Sequence, residues 1–163
     1  MRGYRTTKLV ALAAAALVLE TTVLDVLSLR GARVEALLLT ACFAALFAQD
    51  SRQGLLSAWI AGLFKDAASA GPAGLHALLF LGASWGVLRV RRVLFRESTL
   101  VQGAVVFLAA LAVQVLSGGF TWATAGPLPP GVIAVRSALS ALLTAACAPP
   151  AFAALGRLKE RTT

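Results

Sequence analysis

Ionisable chemistry is scarce in this sequence. Its 163 residues include seven Asp and Glu and a single histidine, His76. One His and scattered carboxylates leave no nucleophile–base–orienter set to assemble. Neither an HExxH pair nor a Gly-rich phosphate loop ending in Lys occurs. The chain is therefore expected not to be an enzyme and to need no cofactor. Cysteine is nearly missing too. Cys42 and Cys147 each lie inside an apolar run, outside any CxxC or Cys/His cluster, so no zinc site or disulfide framework is expected. They read as small buried apolar residues. Long polar stretches are also lacking, which leaves no linker, soluble insertion or domain boundary.

Apolar residues fill the space instead. They make up 59% of the chain, with a mean hydropathy of +0.83. Soluble domains sit near about 45–50% apolar, and a chain this short cannot enclose such an excess in a water-surrounded core. The sequence divides into six apolar runs, near 9–29, 34–49, 54–70, 74–90, 100–117 and 132–155. A bilayer span needs about 20 apolar residues. The first, fifth and sixth runs pass easily. The middle three are short, and they either span while packed within the protein or form a re-entrant pair. Continuous apolarity favours helices over barrel strands, which would alternate. The expected fold class is all-α: one polytopic transmembrane domain of about six helices over 1–163. The basic N-terminus followed by an apolar run mimics a signal peptide, but the run is too long for an h-region and five more follow.

The 15 Lys and Arg outnumber the acidic residues, yet they lie in the gaps between apolar runs. That pattern belongs to membrane topology and gives no reason to expect nucleic acid. With the N-terminus in the cytosol, eleven basic residues fall inside: Arg2, Arg5 and Lys8; Arg52; Arg89, Arg91, Arg92 and Arg96; Arg157, Lys159 and Arg161. Three, Arg30, Arg33 and Lys65, fall outside, and Arg136 lies within the sixth run. The positive-inside rule then places both ends on the cytosolic side of the cytoplasmic membrane. The Arg89–Arg92 cluster reads as an orientation signal that also touches anionic lipid.

A few polar residues stand out against this background. Glu20 and Asp25 sit deep in the first run, where charge is costly and normally paired. Arg136 is the natural partner for one of them if the first and last helices pack together. The two carboxylates lie five positions apart, about 140° around a helix, so they form no dyad. Asp66 and His76 flank the turn signal Gly71-Pro72, with Pro72 placed to start the next helix. They are expected to cap and hydrogen-bond across a hairpin. The segment 117–131, uncharged and rich in Gly and Pro, reads as the longest outer connector, with Phe120 and Trp122 at headgroup level.

Three stretches in order resemble a known family. They are Gly62-Leu-Phe-Lys-Asp66, then Ser69-Ala-Gly-Pro-Ala-Gly74-Leu-His76-Ala-Leu-Leu-Phe80, then Arg89-Val-Arg-Arg-Val-Leu-Phe-Arg-Glu97. Together they resemble the rod shape-determining protein MreD family. Where many members open the second span with Pro-Asp, this chain has Arg33-Val-Glu35, so Glu35 stands in for the acidic residue. The resemblance implies a non-catalytic membrane scaffold of the bacterial elongation complex. It implies binding to MreC, support of RodA and its penicillin-binding transpeptidase, and an indirect link to MreB. It also implies a fold similar to the substrate-binding subunits of energy-coupling-factor transporters. That likeness sets the alternative function, a vitamin-transporter subunit. The candidate structural or partner-binding residues are Glu20, Asp25, Asp66, Gly71, Pro72, Gly74, His76 and Arg136.

Overall fold

The computed structural model describes residues 14–18, 20, 22, 34–47, 50–69, 71–91, 99–125 and 129–161. Every element among them is helical, and no strand occurs. From the first apolar run, residues 14–18 are helical, and Glu20 and Thr22 lie in π-helical turns. Five helices follow: α1 (Ala36–Phe47), α2 (Ser51–Ala68), α3 (Leu75–Val90), α4 (Thr99–Ala125) and α5 (Pro130–Arg161).

Helix α1 is short, twelve residues or about 18 Å. Nine of the twelve are buried, so the other helices enclose it and it need not match the bilayer alone. Leu37, Leu38, Ala41, Cys42 and Ala45 have no exposed surface. Helices α2 and α3 form a hairpin packed on α1, and α4 pairs with α5 along its length. Phe43, Phe47 and Phe152 close the core near the C-terminal end of α1, with ring centroids 5.0–6.0 Å apart. The α1 carbonyls at that end lack helical partners, and Arg91 Nη1 donates to one of them, Ala45 O, at 2.8 Å. Its neighbour Arg89 stacks 4.7 Å from the Trp85 ring. Arg92 and Arg96 lie outside the described residues.

Among the described residues, two helices are long and apolar enough to cross a membrane, Leu100–Thr124 and Gly131–Ala153. Their outward faces are apolar: Leu100 is 85% exposed and Val135 69%. Large apolar side chains on the outside of both helices suit lipid tails better than water.

Helix α4 runs eight residues past Ser117, through a stretch the sequence presents as a loop. The hydroxyls of Thr121 and Thr124 bond back to the carbonyls of Ser117 and Phe120, at 2.9 Å each, and hold the turns together. Gly118 lets α5 come close, since a Cβ there would lie 2.9 Å from Ile133 Cγ2. The sequence signal was the low helix propensity of Gly and Pro, yet residues 119–124 stay helical while exposed, beyond the close approach to α5 at Gly118. Helix α5 likewise runs through Pro149 and Pro150 without a break.

Candidate functional site

Two polar constellations gather at the end of the bundle where α2 ends and α3 and α5 begin. The first is the α2–α3 turn. The two helices cross closely at Gly62, where a Cβ would lie 2.4 Å from Ala77 Cα. That contact is backbone, so no side chain other than hydrogen fits. The chain then turns at Gly71-Pro72 and enters α3 through Gly74, whose φ of +95° favours glycine. Pro72 sits in the turn itself, three residues before the first helical position.

Gly74 has no side chain to cap α3. Asp66 does this work from the preceding helix. Its Oδ2 accepts from Gly74 N at 2.9 Å and Ala77 N at 3.1 Å, and its Oδ1 accepts from His76 N at 2.9 Å. Three of the otherwise orphaned N–H groups at a helix start are thereby satisfied by one buried carboxylate. The His76 ring Nδ1 lies 2.9 Å from the same Oδ1, and the ring stands edge-on to Phe80. Asp66, Gly74 and His76 thus meet in one cap, with Gly71 and Pro72 exposed beside it.

The second constellation is a cleft of about 400 Å³ between the start of α1, the end of α2 and the facing halves of α4 and α5. Glu35, Lys65, Gln114, Arg136, Ser137 and Ser140 line its polar side. Glu35 precedes α1 and is buried. Its N–H donates to Thr144 Oγ1 at 3.2 Å, and its Oε1 accepts from Gln114 Nε2 at 2.6 Å. Gln114 also donates to Ser140 Oγ, at 3.1 Å. Glu35 Oε2 has no hydrogen-bond partner.

The cation on Glu20 is Lys65. The other oxygen of Glu20 accepts from Leu37 N at 3.1 Å and satisfies part of the start of α1. Arg136, read from the sequence as a partner for Glu20 or Asp25, lines the cleft, and Asp25 lies outside the described residues.

Glu35, Lys65, Gln114, Ser137, Ser140 and Thr144 were not singled out as site residues from the sequence. Two signals pointed to them. Gln114 is an amide inside an otherwise apolar run. Ser137, Ser140 and Thr144 follow the three-and-four spacing of one helix face, and all three are buried.

An all-helical bundle with apolar outer faces on its longest helices and its polar groups gathered inside is an α-helical membrane protein. Residues 5–125 match the model of the family described as rod shape-determining protein MreD. That is most of the chain, and the chain belongs to the MreD family, membrane proteins with a role in determining rod shape. The matched region holds the whole Asp66 hairpin, whereas Arg136, Ser137 and Ser140 lie beyond it. No curated protein and no solved structure matches the chain significantly.

Proposed function

We propose that this chain is a non-catalytic membrane scaffold of the rod elongation complex. It holds MreC in the membrane and through it supports RodA, its penicillin-binding transpeptidase and, indirectly, MreB. The family match over residues 5–125 carries this reading. The geometry of the hairpin supports it, because the polar groups of Asp66 and His76 are engaged with one another and with the start of α3. Their role is to fix the shape of the turn. The proposed topology is multi-pass, with both termini in the cytosol and the Asp66 turn outside.

MreC is expected to dock where α4 emerges toward the outer side. Phe120 and Trp122 are exposed there, on a helix with an apolar face suited to packing against another transmembrane segment. The helix arrangement is proposed to be similar to that of energy-coupling-factor substrate-binding subunits, which an experimental structure would test. Family membership does not favour the transporter function itself.

The experiment is deletion of the gene in the native rod-shaped host. Cells should round up, and a plasmid copy should restore rods. MreC should co-purify with the tagged protein from membranes, and Trp122→Ala with Phe120→Ala should weaken its recovery. Normal rods in the deletion strain would overturn the proposal.

A further inference from the structure

The α2–α3 hairpin is too short for the membrane that α4 and α5 fit. Twelve residues separate Arg52 from Lys65 on α2, and fourteen separate Gly74 from Arg89 on α3. Neither stretch holds an Asp, Glu, Lys or Arg. At about 1.5 Å per residue they are about 18 and 21 Å tall. Helix α4 carries no such residue over all its 27 positions, about 40 Å. The hydrocarbon layer of a bilayer is about 30 Å thick. One side of the molecule therefore matches the bilayer, while the hairpin falls short by about 10 Å.

The shortfall faces outward, because the hairpin is not enclosed as α1 is. Leu56, Trp59 and Leu63 on α2, and Leu78 and Trp85 on α3, are 39–68% exposed. The ends are exposed too, with Arg52 and Arg89 at one and Gly71, Pro72 and Ala73 at the other. A short span can snorkel its flanking residues, pair with another protein or thin the bilayer. Arg52 and Arg89 can snorkel. The turn cannot, since its exposed residues have no long side chain and Lys65 nearby is paired with Glu20. Irregular backbone is not tolerated against lipid tails, so the bilayer surface must come down to the turn. A second copy would share the orientation of the first. Its Arg52 and Arg89 would meet these at the same depth, and the only acid at that end of the hairpin is Asp50. Lipid phosphates suit that cationic rim. Arg89 stacks on Trp85 one turn inside it, where interfacial aromatic residues sit.

We propose that the α2–α3 face carries a locally thinned annulus of lipid and selects short acyl chains, while the α4 face sits in bilayer of ordinary thickness. The proposal needs only that the hairpin spans the membrane, and it does not depend on the elongation-complex reading.

The test uses the full chain reconstituted in mixtures of short-chain and long-chain phosphatidylcholine. One of the two is brominated in its acyl chains, so that it quenches tryptophan on contact, and the labels are then exchanged. Trp85→Phe with Trp122→Phe leaves Trp59 as the reporter on the hairpin. Trp59→Phe, Trp85→Phe and Trp122→Phe, combined with Leu108→Trp, move the reporter to α4, where position 108 is 64% exposed. Short chains should be enriched about threefold at Trp59 relative to the reporter on α4. In the chain that keeps Trp59, Arg52→Leu with Arg89→Leu extends the apolar band at its charged end and should bring the enrichment down toward the α4 value. Equal enrichment at the two reporters would overturn the proposal. So would a Trp59 that neither brominated lipid quenches, because a second copy or another protein would then cover the face.

Discussion

Asp66 occupies a position where a single carboxylate does the work usually divided among a cap residue and ordered water. Truncating it to Ala would strand the N–H groups of Gly74, His76 and Ala77 at the start of α3. Asp66→Ala should cost about 3 kcal/mol or more, at the upper end for buried unsatisfied groups, and Asp66→Asn should cost less because one oxygen remains to accept. Thermal unfolding in detergent measures both. Lys65 and Glu20 make a different demand. Their side chains are only 19% and 11% exposed, so Lys65→Met alone leaves a largely buried carboxylate and should cost roughly 3–5 kcal/mol. The double change Glu20→Leu with Lys65→Met should recover much of that loss, and a double-mutant cycle checks it. The sequence marked Glu20 and Asp66 because charge inside an apolar run must find a partner. It offered His76 beside Asp66 and Arg136 for Glu20 or Asp25, and in the structure Asp66 meets His76 whereas Glu20 meets Lys65. Lys65 stands 45 residues from Glu20, a separation that local spacing does not bridge.

At the scale of the helices, glycine positions separate tight crossings from loose ones. Gly62→Ala would drive its methyl into the Ala77 backbone, which cannot yield without moving α3, and should cost about 3 kcal/mol or more. Gly118→Ala meets the Cγ2 branch methyl of Ile133, held by a stiff χ1 but not backbone, and should cost about 1–2 kcal/mol. Gly82→Ala meets nothing within 4 Å and should be neutral or stabilising by up to about 1 kcal/mol, from helix propensity. Melting temperatures should rise from Gly62→Ala through Gly118→Ala to Gly82→Ala. The α2–α3 hairpin was the most legible element, because Gly62, Asp66, Gly74 and His76 follow one another at short range and each has a local job. Helix α4 was less so. Its last eight residues hold Gly118, Gly119 and two Thr, a composition that reads as a connector, although they continue the helix.

For the whole molecule, the arrangement of ends can be read by labelling. In a background lacking Cys42 and Cys147, cysteines at Gly71 and Gly131 should react with an impermeant reagent from outside intact cells. A cysteine at Arg52 should react only after the inner face is opened. Reaction at Arg52 from outside would overturn the proposed topology. The cleft was the least legible feature at this scale. Its walls come from residues 35, 65, 114 and 136, which sequence order keeps far apart. The family match, ending at 125, also stops short of one of those walls.

The Asp66 cap has a consequence for how the chain is made. Its backbone hydrogen bonds span only eight to eleven residues, so the loop entropy of closing them is small. They can form as soon as the first turn of α3 has been synthesised, while α4 and α5 are still on the ribosome. The hairpin then reaches the insertion machinery as a finished pair, with the carboxylate already surrounded by its donors. In the proposed topology the turn would cross the bilayer with its carboxylate already hydrogen-bonded, and the later helices would assemble on a hairpin that is already formed.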